Sequence, residues 1–312
     1  MGYRQYPLVL MMLALPLQAK DCRDISLFNS INTEQLWQDF SKLADEGMEG
    51  RLTGSQGAKK AQEYIQHRFH EIGLETFPQY LTYQQPFHYP NDASTNEGTN
   101  LIGWLQGVRF PEYYIVITAH FDHLGKKGGK IFYGADDNAS GVAALLALAG
   151  TLSHQSSPYS VIFVATDAEE SGLYGAKAFV RNSPVALNNI VLNINLDMLA
   201  EGGRRMRLYV TSSIGNDKLD NGIQQVIAKA GLCLVKGHRS SLGSRSELQK
   251  VNWRKASDHA AFAKQAIPYL FIGGDTHVRY HTPEDRVEQI DRVFYTAATE
   301  TAWLVLQQFN HE

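Results

Sequence analysis

Past its first two dozen residues this 312-residue chain has no apolar run able to cross a bilayer, for which about 20 consecutive apolar residues are needed. It has no basic stripe either. Acids and bases are interspersed and the net charge is −3, a balance that argues against a nucleic-acid partner. Cysteine is nearly absent: Cys22 and Cys233 are the only two, so at most one internal bridge can form, and their spacing alone does not decide whether it does. There is no internal repeat, no low-complexity linker and no break in composition after residue 24. That leaves one domain over residues 20–312, with ordinary hydrophobic content for a single large core.

The amino terminus differs from the rest. Arg4 supplies a positive charge, Tyr6 to Leu17 is apolar apart from its prolines, and Leu17-Gln18-Ala19 ends on a small residue. This is the layout of a secretory signal peptide over residues 1–19. It predicts export to the periplasm or the medium, no stable membrane insertion after cleavage, and a compartment that permits a disulfide.

Hydrophobic periodicity predicts helices over Thr33–Leu43 and Gln56–Ile72, the second closed by Gly73. Gln84 to Asn100 is polar, contains two prolines and reads as an irregular loop. Strands are predicted over Tyr113–Ala119, Ser160–Thr166, Ile190–Leu196 and Pro268–Ile272. Further helices are predicted from Gly141 to about Leu152, capped by Ser140, from Ser171 to Val180, and from about Arg286 to Phe309. Strands alternating with helices argue for an α/β fold, a sheet covered on both faces, with ligands gathered at the carboxyl ends of its strands.

Acids and histidines fall at those ends. His120-Phe121-Asp122, Glu169-Glu170 and Asp197 each follow a β-branched run, while Asp136-Asp137 and His281 lie in loops. Singly, each has an ordinary explanation as a cap, a turn or a solvated group. Together they do not, because carboxylates crowded at buried strand ends need a cation. Two divalent cations sharing a carboxylate would account for the set. His120 and Asp197 would hold one, Glu170 and His281 the other, and Asp137 would bridge. Glu169 is then left over beside a bound water, where a general base belongs.

The segments Gly134-Ala-Asp-Asp-Asn-Ala-Ser-Gly141, Asp167-Ala-Glu-Glu-Ser-Gly-Leu-Tyr-Gly175, Asn195-Leu-Asp-Met198, Ser257-Asp-His259 and Tyr280-His-Thr-Pro-Glu-Asp285 resemble the bacterial leucyl aminopeptidase / aminopeptidase Y family of co-catalytic zinc exopeptidases. Gly50-Arg-Leu-Thr-Gly54 fits the same resemblance, which extends over residues 33–309. It implies a mixed, mostly parallel sheet sandwiched between helices, two zinc ions, and peptide substrates with a free N-terminus. It also selects Asp137 over Asp136 as the bridging acid and implies a cis peptide to Asn138. By the same resemblance Asp122 orients the imidazole of His120, Asp258 and His259 lie near the substrate pocket, and Tyr280 is a candidate oxyanion donor; Met198, next to Asp197 in sequence, is a candidate lining residue of the side-chain pocket.

Three other readings compete. A glutaminyl cyclase shares the fold but uses one zinc, and typically has Ser where this chain has Asn138 and Trp where it has Tyr280. A carboxypeptidase or deacylase would carry an inserted domain between Asp197 and His281, and that interval is short. A non-enzymatic binding domain on this scaffold would have lost ligands that this chain keeps. The sequence does not indicate an oligomeric state or a side-chain preference.

Overall fold

The structure, a computed structural model, describes residues 21–91, 94–238 and 251–311. The signal peptide read from residues 1–19 lies outside the described residues. Helix α1 (Thr33–Leu43) begins where the Asn32 side chain accepts from the amide of Gln35. Helix α2 (Gln56–Ile72) is capped by Ser55 and closed by Gly73 at φ 83°, a left-handed position that glycine takes without strain.

The loop expected over Gln84–Asn100 is instead an antiparallel pair, β1 (Gln84–Asn91) and β2 (Ser94–Leu105). The polar residues that count against a strand are satisfied inside it. Asn100 donates to Gln85 and to the carbonyl of Gly175, and Gln85 donates to the carbonyl of Asn182. Pro86 and Pro90 sit on β1, the edge of the sheet, where a missing N–H is tolerated.

Strand β3 (Phe110–His120) leads to a small hairpin, β4 (Gly125–Lys127) and β5 (Lys130–Phe132). An irregular turn over Ala135–Ser140 then runs straight into α3 (Gly141–Leu152). Ser140 does not cap this helix as the sequence predicts. Its own backbone is helical, and its hydroxyl donates to the carbonyl of Asp136 and accepts from the amide of Leu199. Helix α3 is apolar all round and buried along nearly its whole length, as a central core helix must be.

Strand β6 (Tyr159–Thr166) follows, then α4 (Tyr174–Arg181). The start of α4 lies beyond the expected Ser171 because Glu169–Gly172 forms a turn and Leu173 is left-handed, φ 60°. After β7 (Ile190–Asp197) come β8 (Arg207–Ser212), α5 (Asp217–Lys229) and β9 (Cys233–Lys236), elements beyond those predicted from the sequence. Helix α6 (His259–Ala263), β10 (Tyr269–Gly273) and α7 (Arg292–Asn310) follow among the described residues. Helix α7 starts at Arg292 rather than Arg286, where Asp291 accepts from the amides of Val293 and Phe294.

Among the described residues, eight strands form one mixed sheet in the order β1-β2-β6-β3-β7-β10-β8-β9. The central four, β6, β3, β7 and β10, are parallel. Alternating residues separate its two faces. On β6, Val161, Phe163 and Ala165 join the core under α1, α2, α3 and α7, while Ile162 and Val164 join the core under α4 and α6. Register decides where the ends fall. His120 pairs with Thr166, and Gly273 pairs with Asp197, so the carboxyl ends of the four parallel strands are level.

Cys22 is bonded to Cys233, which ties the segment before α1 to edge strand β9. Buried Glu300 of α7 holds the same segment by accepting from the amides of Phe28 and Ser30. No helix among the described residues is long and apolar enough to cross a membrane.

Candidate metal centre

The level strand ends bring the predicted acids and histidines together. His120 ends β3 and Asp197 ends β7; Glu169 and Glu170 lie just past β6, Asp137 in the turn before α3, and His281 in the loop between β10 and α7. His120 Nε2 lies 3.3 Å from Asp137 Oδ1 and 3.4 Å from Asp197 Oδ1. His281 Nε2 lies 3.1 Å from Asp137 Oδ2 and 3.2 Å from Glu170 Oε2. The two oxygens of Asp137 therefore face different histidines, each with a second acid beside it. Glu169 sits with His120 and Asp197 in a group whose ligand atoms all lie within 4.8 Å of one another.

Backbone geometry aims these side chains. Ala168, Met198 and His281 are left-handed, at φ 56°, 59° and 57°. Non-glycine residues adopt that region at a cost of order 1–3 kcal/mol and do so mostly at functional sites. The Asp137–Asn138 peptide is cis. Asn138 donates to the carbonyl of Leu196 and accepts from the amides of Gly141 and Met198, joining the Asp137 turn to the end of β7.

The role expected for Asp122 is redistributed. His120 Nδ1 pairs at 3.1 Å with the backbone carbonyl of Asp122, not with its carboxylate, which lies 3.7 Å away. The carboxylate instead accepts from the amides of Glu169 and Glu170. Residue 122 thus orients the imidazole with its main chain and places the glutamate pair with its side chain. Asp258 and His259 are fully buried. Asp258 accepts from the hydroxyl of Thr166, and His259 stacks on Phe271 and meets the carbonyl of Trp253. Met198 is buried beside Asp197. Tyr280 is half-buried and stacks on His281 with ring centroids 3.8 Å apart.

Residues to which the sequence reading gave no role hold the centre from beneath. Arg51 is fully buried and donates to the carbonyls of Leu43, Phe121, Tyr133 and Gly134. It therefore clamps the His120 loop to the Asp137 turn. Burial lowers its pKa to about 10 even though Asp285, Asp137, Asp122 and Glu170 all favour its charge. Asp285 accepts from the amides of Asp136 and Asp137, and Asp136 faces His277 at 3.1 Å. His123, in the loop after β3, is fully buried with Nδ1 2.8 Å from Glu170 Oε1. Its only sequence signal is a second imidazole three residues past His120.

The electrostatics are those of an anionic pocket short of positive charge. Burial raises the Glu169 and Asp197 carboxyls, against the pull of His120 and with the help of neighbouring acids. Burial also opposes ionisation of Asp137, but His120 and His281 outweigh it and hold that carboxyl well below its ordinary value. The histidines respond in kind. Burial would lower them, yet Asp197 and Glu169 raise His120 well above its ordinary value, and Asp137 and Glu170 lift His281 to about 10. Protons on imidazoles supply the charge that a divalent cation would supply.

The donor set fits such cations. Asp137 Oδ2, Glu170 Oε1, Asp197 Oδ1 and His281 Nε2 are buried without a hydrogen bond among the described residues, a condition that buried polar atoms rarely tolerate unless something else binds them. Carboxylate oxygens and imidazole nitrogens are also the ligands that zinc takes.

The chain is similar to several known proteins. Over 242 residues the chain is 28% identical to the alkaline phosphatase isozyme conversion protein of Escherichia coli K12, covering 72% of this chain and 67% of that one. It is 30% identical over 230 residues to aminopeptidase YwaD of Bacillus subtilis 168, covering 68% of this chain but only 45% of the relative. The chain thus spans two thirds of the first relative and less than half of the second. Among solved structures, the zinc aminopeptidase BSAP from Bacillus subtilis superimposes with a TM-score of 0.70 at 17% identity, covering 88% of this chain and 95% of that one. The glutaminyl cyclase of Porphyromonas gingivalis superimposes equally well, with a TM-score of 0.70 at 18% identity over 89% of this chain and 99% of its own. Likeness at those identities is likeness of fold. Residues 100–306 match the family described as Peptidase family M28. That match covers more than half of the sequence and includes every predicted ligand, so the chain belongs to peptidase family M28.

Proposed function

We propose that the chain is an exported zinc aminopeptidase that hydrolyses the first peptide bond of peptides with a free N-terminus. One observation carries the two-cation form of this reading: Asp137 turns one oxygen to His120 and the other to His281. His120, Asp197 and Asp137 would hold one zinc; Glu170, His281 and Asp137 would hold the other. Bound there, the pair supplies Lewis acidity toward the scissile carbonyl and a nucleophile at neutral pH.

The remaining work belongs to side chains. Glu169 takes the proton of the attacking water and returns it to the departing amine. Its carboxyl, raised by burial among acids, suits a group that must both accept and release a proton. Tyr280 stays neutral because burial raises its phenol, so it keeps a proton with which to meet the developing oxyanion. Asp197 and Glu169 give the substrate's α-ammonium an anionic surface. Met198, Asp258 and His259 back the adjoining pocket. Export is supported by the signal-like leader and by the Cys22–Cys233 bridge, which is of a kind that persists in oxidising compartments.

The likeness to a glutaminyl cyclase fold keeps ring closure of N-terminal glutamine as the second reading. A panel of aminoacyl chromogenic substrates separates them, run with and without chelator beside a glutaminyl peptide, a carboxypeptidase substrate and N-blocked peptides. Chelator-sensitive release from free N-termini is expected. Pyroglutamate formation without hydrolysis, or cleavage of N-blocked substrates alone, would overturn the aminopeptidase reading.

A further inference from the structure

Beyond the five ligands named above, one buried imidazole is placed as a ligand would be. His123 is fully buried, and its Nδ1 lies 2.8 Å from Glu170 Oε1 and 3.7 Å from Asp137 Oδ2. Neither ring nitrogen of His123 makes a hydrogen bond among the described residues, and Glu170 Oε1 and Asp137 Oδ2 are equally unpaired. The close approach of Nδ1 to Oε1 is therefore not an aligned hydrogen bond. Burying both groups without one costs several kcal/mol unless a third species binds them.

Two further observations point the same way. The ring fits only because residue 134 is glycine: a Cβ there would lie 2.5 Å from its Cγ and 2.6 Å from its Cδ2. His281 approaches the same two carboxylates from another direction, with ring centroids 5.7 Å apart and planes inclined by 66°. The two imidazoles flank one space rather than stack across it.

We propose that His123 is a sixth protein ligand, binding through Nδ1 at the position formed by Glu170, His281 and Asp137. This rests on the two-cation reading above and makes the two positions unequal. One carries two imidazoles and two carboxylates; the other carries His120 with Asp197 and Asp137. Imidazole favours zinc, cobalt, nickel and copper over harder ions such as magnesium and manganese. The two-imidazole position therefore fills first with zinc and is stripped last by chelator.

The test is a titration of metal-free protein with zinc and with cobalt, read by calorimetry and chelator competition, for the wild type and for His123→Gln and His123→Ala. The wild type should bind two unequal equivalents. In the variants the tighter one should weaken by more than about 100-fold, beyond the 10–100-fold of a merely supporting partner, while the other stays unchanged. Proton NMR of the cobalt-loaded wild type gives an independent reading that needs no variant. Three exchangeable, hyperfine-shifted imidazole N–H signals support the assignment, and two overturn it. Unchanged affinities in folded variants, or weaker binding with no signal lost, also overturn it. If the wild type binds one equivalent, the two-cation reading falls, and the signal lost or kept on substituting His123 still decides whether that residue is a ligand.

Discussion

Histidines in two neighbouring regions of this molecule meet opposite fates. His120 and His281 face Asp137, Asp197, Glu169 and Glu170, and both are raised above the ordinary histidine value. His238 stacks on Tyr209, Trp253 and Phe271, and His259 stacks on Phe271 and packs at a tilt against Tyr269. Burial drives these two down to about 3 and about 4, and the backbone carbonyls of Gly274 and Trp253 only partly oppose it. Burial disfavours the charged imidazole in both regions, and only carboxylates reverse the outcome. The acid region is built to receive positive charge; the aromatic region is built to refuse it. Asp258 and His259 are adjacent in sequence yet divide between the two. The Asp258 carboxyl, raised to about 7 by burial, feels His120, Asp122 and Asp197, while the His259 ring lies among aromatic rings.

Removing the shared acid should break the contrast most severely. Asp137→Ala deletes the carboxylate that His120, His123 and His281 all face. Metal affinity should fall by more than about 100-fold, beyond the loss typical of an outer partner, and hydrolysis should drop to background. Equilibrium dialysis with metal analysis checks this; ordinary binding in the variant would place the bridge elsewhere.

Glu169→Gln is a finer cut. It removes the proton acceptor while keeping size and hydrogen-bonding capacity. Turnover should fall roughly 10²–10⁴-fold, the usual contribution of a positioned acid–base group, with metal content unchanged. Near-normal kcat in a fully loaded variant would refute that role.

The aromatic side of the contrast is tested through stability. An imidazole held neutral until about pH 4 in the folded chain titrates near 6.5 when unfolded. The unfolded state then binds more protons, so stability is full above pH 6.5 and is lost as pH falls toward 4, by roughly 3 kcal/mol for His259. His259→Phe keeps the stack and removes the titration. Urea midpoints measured from pH 7 to pH 4 should fall less steeply in this variant than in the wild type. An identical slope would mean that His259 is not held neutral.

The sequence discloses the acid region better than the aromatic one, for a physical reason. A buried carboxylate after a β-branched run is anomalous on sight, so His120, Glu169, Glu170 and Asp197 stand out, and parallel register then levels their strands. The sheet edges carry no such anomaly. Gln85, Asn100, Pro86 and Pro90 look like a loop until their partners across the chain are known, and β8 and β9 are too short and mixed in character to stand out. Ser140 resembles a helix cap, but its own backbone is already helical. Arg51 and His123 act through groups far along the chain or across a loop, which no local pattern records. The resemblance selects Asp137 over Asp136; in the structure Asp137 faces His120, His123 and His281, while Asp136 turns away to His277 and the amide of Ala200.

The most direct test of the account is the number of zinc ions that metal-free protein binds at pH 7, measured by titration calorimetry on the wild type and on Asp137→Ala. Two equivalents per chain in the wild type, both severely weakened by the single substitution, are the predicted result. One equivalent that survives the loss of Asp137 would contradict it.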